Sequence, residues 1–145
     1  MMNPERHSAP MTRSQNMARI KSSGTTSELI LRRELWRTGI QYWKNPSWIF
    51  GKPDIVVRSV RVAVFCDSEF WHGKKYRKGE TPANNRDFWI KKLEGNIQRD
   101  RIVNRKLRRD GWTVLRFWEK EIMRHPQLCA QKVKDAISAR IGNTE

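Results

Sequence analysis

The sequence lacks the devices that hold small secreted domains together or anchor a chain in a membrane. It has only two cysteines, Cys66 and Cys129, far apart in the chain. That excludes a disulfide framework and a cysteine-rich zinc knuckle, and it suits a reducing interior. No stretch approaches the roughly 20 consecutive apolar residues that span a bilayer. Residues 1–23 are polar with scattered Arg and Lys, so they are not expected to be a secretory signal. Repeats and low-complexity blocks are also lacking. Acidic residues are scarce, 15 against 30 Lys and Arg, which leaves a net charge of +15. Such a surplus draws polyanions at long range, so nucleic acid is the expected partner; a basic architectural or ribosomal domain is the alternative. The chain is expected to be soluble and cytoplasmic, associated with the nucleoid through DNA, with no membrane partner.

Residues 1–20, rich in Ser, Pro, Asn and Arg, read as a flexible basic N-terminal arm, and 21–145 as one domain. Thr25 and Glu28 have capping-box spacing, and Leu31 and Leu35 follow on one face, so a helix begins at Thr25 and ends at Gly39. A short extended piece over 41–44 precedes a loop over 45–52. Asp54-Ile55-Val56-Val57 and Val62-Ala63-Val64-Phe65-Cys66 are apolar runs joined by a few residues. They predict an antiparallel hairpin, largely buried. After a loop over 73–85, the spacing predicts a long helix over 87–109, stopped by Gly111. Residues 113–118 are then a strand reached by a helical crossover, hence parallel to an earlier strand. A last amphipathic helix covers 128–141. The order predicts an α/β fold with a mixed central sheet flanked by helices.

Asp54 opens one strand of the hairpin and Asp67 follows the other. A turn centred between Val60 and Arg61 would make them neighbours. Adjacent carboxylates repel unless one is protonated or a cation sits between them, and paired hard oxygen donors suit Mg2+. Two solvated strand-end aspartates are the plainer alternative. On the long helix, Ile90, Leu93, Ile97, Asn104 and Leu107 form a stripe that includes Asp100. A carboxylate there needs a partner, either an arginine of the fold or a residue of a metal site. Glu28 raises the same question, and capping explains it at least as well. His72 follows the second strand directly, and its imidazole can take a proton from a water attacking phosphorus. Phe70-Trp71 and Phe88-Trp89 bracket a basic loop, where they can stack on bases or wedge between them, or cap the core. Basic and polar residues of the arm and the long helix (Arg13, Asn16, Lys92, Asn96, Arg99) are candidate DNA contacts.

Thr12-Arg13-Ser14-Gln15-Asn16-Met17, Gly51-Lys52-Pro53-Asp54, Phe70-Trp71-His72, Phe88-Trp89, Arg99-Asp100-Arg101 and Gly111-Trp112 through Trp118-Glu119 lie in one nearly collinear series. In these motifs the chain resembles the very-short-patch-repair (Vsr) endonucleases from Thr12 to about Glu119. The resemblance implies a restriction-endonuclease-like core that nicks DNA beside T:G mismatches. It also implies Asp54 as the essential metal-binding aspartate and the Cys66 backbone carbonyl as a further metal ligand. His72 matches the catalytic histidine, Asp100 and Glu28 match supporting acids, and Phe70, Trp71 and Trp89 match the inserting aromatics. Asp67 stands where the best-known members have a second active-site histidine, and it is expected to join the metal ligands. Glu69, Lys74, Tyr76 and Lys120 stand where those members hold a structural zinc, so no zinc is expected and the mismatch-contacting loop should differ. The expectation is a Mg2+-dependent DNA endonuclease using one or two ions and in-line attack by water, acting as a monomer on double-stranded DNA with repair or defence partner proteins. Two alternatives are a similar nuclease of a restriction or phage-defence system without mismatch preference, and a catalytically silent DNA-binding module.

Overall fold

The computed structural model describes residues 25–142; the expectations for the arm, Arg13 and Asn16 among them, lie outside the described residues. Thr25 caps the first helix, α1 (Thr26–Arg37), its hydroxyl accepting the Glu28 amide at 3.3 Å. Gly39, at φ +80°, turns the chain out of the helix as its position predicted. Four strands form: β1 (Trp43–Lys44) in the expected extended piece, and β2 (Ile55–Val57), β3 (Val62–Asp67) and β4 (Thr113–Trp118) along the apolar runs. They form one sheet in that order, with β1, β2 and β3 antiparallel and β4 parallel to β3. The parallel step requires a crossover, which is made through α2 (Lys74–Arg77) and the 24-residue α3 (Arg86–Arg109).

Both faces of the sheet are covered, which is why β2 and β3 read as continuous apolar runs rather than alternating ones. On one face Ile55, Val57, Val62, Val64 and Phe117 pack with Leu31 and Leu35 of α1, and with Ile122, Cys129 and Val133. The last three come from α4 (Glu119–Arg124) and α5 (Pro126–Gly142). On the other face Val56, Ala63, Phe65 and Val114 pack against Val103 and Leu107 of α3. The result is the expected mixed α/β sheet flanked by helices. Among the described residues, no helix is long and apolar enough to cross a membrane.

Four local expectations are corrected. The hairpin turn occupies 58–61, a 3-10 turn closed by Arg61 in the left-handed region, so Ile55 pairs with Val64 and Val57 with Val62. Extending that register puts Asp54 opposite Phe65, two residues short of Asp67. Six residues directly after β4 form α4, which is too short to show a periodicity, and α5 begins at Pro126 rather than 128. The loop over 73–85 contains α2. The buried stripe of α3 runs through Trp89, Leu93, Ile97, Asp100, Val103 and Leu107, so Ile90 and Asn104 flank it.

Gly51 sets the entry to β2. Its φ is +79°, and a Cβ there would overlap Val103 Cγ1, so only glycine lets the 45–52 loop close on α3. Three residues later the chain delivers Asp54.

Candidate active site

The site forms where the C-terminal ends of β3 and β4 meet the middle of α3. Asp67 ends β3 and is 5% exposed. Arg116 pairs in register with Phe65, on the α3 side of β4, and its guanidinium lies 4.0 Å from the Phe65 ring centroid. From there Nη1 donates to both Asp67 oxygens, at 3.1 and 3.2 Å, and lies 3.5 Å from Asp100 Oδ1. Its Nε donates to Asn104 Oδ1 at 2.7 Å. One side chain thus ties β3, β4 and α3 together.

His72 is brought back onto this group by a turn in which its amide donates to the Ser68 carbonyl at 3.0 Å. Asn96 Nδ2 donates to the Trp71 carbonyl and Arg77 Nε to the His72 carbonyl, each at 2.9 Å, so the backbone is pinned on both sides of the imidazole. Nδ1 lies 2.6 Å from Asp100 Oδ2. An ionised carboxylate only accepts, so Nδ1 carries the proton and Nε2 is left with the lone pair in the neutral ring. Nε2 is 3.6 Å from Asp67 Oδ1. Arg77 Nη2 also reaches Asp100 Oδ2, at 3.3 Å. The helical stripe left two kinds of partner open for Asp100; it has both, two arginines and the histidine of the site.

Burial disfavours the imidazolium of His72, yet the Asp100 hydrogen bond and the Asp67 and Asp100 charges outweigh it and raise its pKa. Burial raises Asp67 as well, opposed by His72 and Arg116. Asp54 is compensated differently. Its Oδ2 accepts the Cys66 amide at 2.7 Å, while burial, Glu28 and Asp67 push its pKa to about 7 against that bond and Arg32. Burial and the surrounding carboxylates push the Cys66 thiol up, so that thiol stays protonated. Glu28 is fully buried, capped into α1 and ion-paired with Arg32. Sequence reasoning missed Arg116, Arg77 and Asn104.

Two donor groups can hold a cation. Ligand-capable atoms of Asp67, His72 and Asp100 lie within 4.8 Å of one another, but Arg116, Arg77 and the internal hydrogen bond already engage them. Asp54 is the less satisfied acid, a buried carboxylate facing two others and one amide. In an extended strand a residue's N–H and C=O point to the same edge, so the Cys66 carbonyl faces the Asp54 side as its amide does. A carboxylate and a carbonyl are hard oxygen donors and fit a hard divalent cation.

The rings of Phe70, Trp71, Phe88 and Trp89 pack edge to face or tilted, with neighbouring centroids 5.0–6.1 Å apart. Trp89 is only 6% exposed and underlies the cluster, whereas Phe88, expected equally to cap the core, is 60% exposed. Lys92 sits over the Trp71 ring at 5.8 Å, and Arg99 donates to Asn96 at 3.3 Å. Glu69, one of the four positions where zinc ligands stand in the resembled family, accepts the Lys120 amide at 2.9 Å. Lys74 and Arg77 lie over the Trp118 ring, at 5.5 and 5.9 Å. These contacts fasten the loop to the end of β4.

Residues 7–78 match the family described as DNA mismatch endonuclease Vsr. The chain is 45% identical over 135 residues to the type II nicking enzyme V.NmeDIP of Neisseria meningitidis serogroup C, covering 92% of this chain and 90% of that one. It is 42% identical over 122 residues to the type II nicking enzyme V.HpaIIP of Haemophilus parainfluenzae, covering 83% and 86%. It is 34% identical over 108 residues to the DNA mismatch endonuclease Vsr of Escherichia coli (strain K12), covering 74% and 69%. With these likenesses spanning the strands and helices that build the site, the chain belongs to the Vsr family and is a DNA endonuclease.

Proposed function

We propose that the protein nicks one strand of duplex DNA at or next to a T:G mismatch, by Mg2+-dependent hydrolysis of a phosphodiester. The observation that carries this reading is His72, its Nδ1 held by Asp100 at 2.6 Å and its Nε2 beside a second carboxylate. That is the arrangement of an imidazole held in one tautomer to accept a proton. His72 Nε2 takes the proton of a water attacking phosphorus in line, and Asp100 steadies the imidazolium that forms. The opposite P–O bond breaks, and the leaving oxygen takes a proton from solvent. Asp54 and the Cys66 carbonyl would hold Mg2+, with Glu28 behind them. When bound, the ion supplies positive charge to the phosphate oxygens. Asp67 was also expected among the ligands.

Phe70 and Trp71, on the base formed by Trp89, are placed to enter the stack. Wedging costs least where pairing is already weak, which favours a mismatch. Lys92, Asn96 and Arg99 on α3, with Arg13 and Asn16 of the arm, are the proposed contacts that position the duplex. Relatives named nicking enzymes support a single-strand cut, and a relative named a mismatch endonuclease supports the mismatch. A nick needs one site, so a monomer suffices, acting on cytoplasmic DNA alongside repair or defence proteins.

The test is cleavage of a labelled duplex with one T:G pair and of its matched control, in Mg2+ and in EDTA. The expected result is a Mg2+-dependent nick confined to the mismatched duplex. Equal cutting of both duplexes would remove the mismatch preference and leave a nuclease of the restriction or defence kind. Binding without cutting would leave only the DNA-binding module.

A further inference from the structure

We propose that Arg116 is a positioning residue of the nuclease, and that Asp67 is held by Arg116 to stabilise the imidazolium that forms on His72 rather than to bind the metal. From β4 the guanidinium reaches three acceptors on two other elements: Asp67 of β3, Asn104 of α3 and, at the longer 3.5 Å, Asp100 of α3. Phe65 beneath it fixes the plane of the fork. A lysine ammonium is a single point donor and cannot span these positions from one backbone site. The two carboxylates that flank His72 are buried, and without the arginine Asp67 would keep only His72 Nε2 at 3.6 Å, beside an Asp100 still paired with Arg77. The consequence for the metal is direct. Both Asp67 oxygens face Nη1, so a cation bound to them would sit against the guanidinium charge. Asp54 has the Cys66 amide on Oδ2 and feels the Arg32 charge, but no arginine donates to it among the described hydrogen bonds. The site is thus divided: one half holds the cation, and the other, strapped by Arg116, holds the base.

The test uses the full chain and a labelled duplex. Arg116→Met, Arg116→Lys, Asp67→Asn and the double variant Asp67→Asn/Arg116→Met are compared for kcat, for KM and for the rise in melting temperature caused by Mg2+ alone. Arg116→Met is expected to lower kcat roughly 10- to 100-fold at unchanged KM, the range for lost supporting partners of a site. Arg116→Lys, which keeps the charge and guards against a merely unfolded Met variant, recovers part of the loss. The double variant is no slower than the slower single one. Asp67→Asn keeps the whole Mg2+-induced rise, which Asp54→Ala loses. Losses that multiply in the double variant would overturn the coupling. A Mg2+ response lost in Asp67→Asn would make Asp67 a ligand and overturn the division. A raised KM with a salt slope reduced by about one would make Arg116 a phosphate contact instead. The proposal rests on the reading of His72 as the base. If His72→Ala cuts like the parent, that reading fails, while the Mg2+ response of Asp67→Asn still decides the metal half.

Discussion

Asp54 and Asp67, two residues out of register with each other, have opposite surroundings. Asp67 is held by an arginine and faces an imidazole; Asp54 has an amide and two other acids around it. Asp54→Ala is therefore expected to abolish cleavage while leaving duplex affinity within about threefold, measured by gel shift in EDTA. The pKa of Asp54 gives a second prediction. Its folded value is raised from 3.8 to about 7, so the native state binds more protons than the unfolded chain between those limits. The stability it contributes is complete below pH 3.8 and lost as pH rises through about 7. Metal-free Asp54→Asn, neutral throughout, should melt higher than the parent at pH 8 and gain nothing at pH 4. Calorimetric melting points that differ equally at both pH values would refute this. Adding Mg2+ at pH 8 should close the gap from the parent's side. At this scale the sequence was informative about acids and imidazoles, because a carboxylate on an apolar stripe or a lone histidine after a strand announces itself. Arg116 did not. Alternation from Val114 puts it on the inner face of β4, but an arginine in an apolar strand becomes meaningful only once the pairing with β3 places Asp67 beside it.

At the scale of elements, caps and apolar runs were legible while registers were not. Thr25, Gly39 and Gly111 bound their helices as expected, and the four strands lie in the segments that predicted them. The hairpin centre lies between Ser59 and Val60, one residue before the expected point, because the connection is a 3-10 turn that ends with Arg61 in the left-handed region. A shift of two in register leaves every side chain on its face, so the core survived the error. α4 escaped because a single helical turn and a half carries no periodic signal. The close approach of the 45–52 loop to α3 yields the prediction for this scale. Gly51→Ala combines a left-handed backbone penalty of about 1–2 kcal/mol with overpacking of about 1–3 kcal/mol. It should destabilise the fold by about 2–5 kcal/mol in urea unfolding, the sum of those two ranges. In a Val103→Ala background, which removes the Cγ1 atom that the new Cβ would meet, only the backbone part should remain. An equal cost in both backgrounds would show that the contact does not matter.

For the whole molecule, the charge that first suggested a polyanion partner must act through phosphates, since the site itself is close to balanced by Arg77 and Arg116. Binding to a matched duplex should fall by about 10³-fold or more between 50 and 200 mM salt, as for ~6 or more phosphate contacts. A drop below tenfold in fluorescence anisotropy would mean that the net charge of +15 is not directed at DNA. The crossover between β3 and β4 has a different bearing, on when the site is assembled. The Nδ1 partner of His72 lies 28 residues downstream of it, and Arg116 lies 49 residues beyond Asp67. Contacts that distant have no local precursor and close late in folding. A nascent chain still emerging, or a fragment ending before Thr113, carries His72 and Asp100 but lacks β4 and the Arg116 that holds Asp67. Such a chain is expected to cut no DNA until the last strand has been made, which cleavage assays on a fragment ending at residue 112 would check.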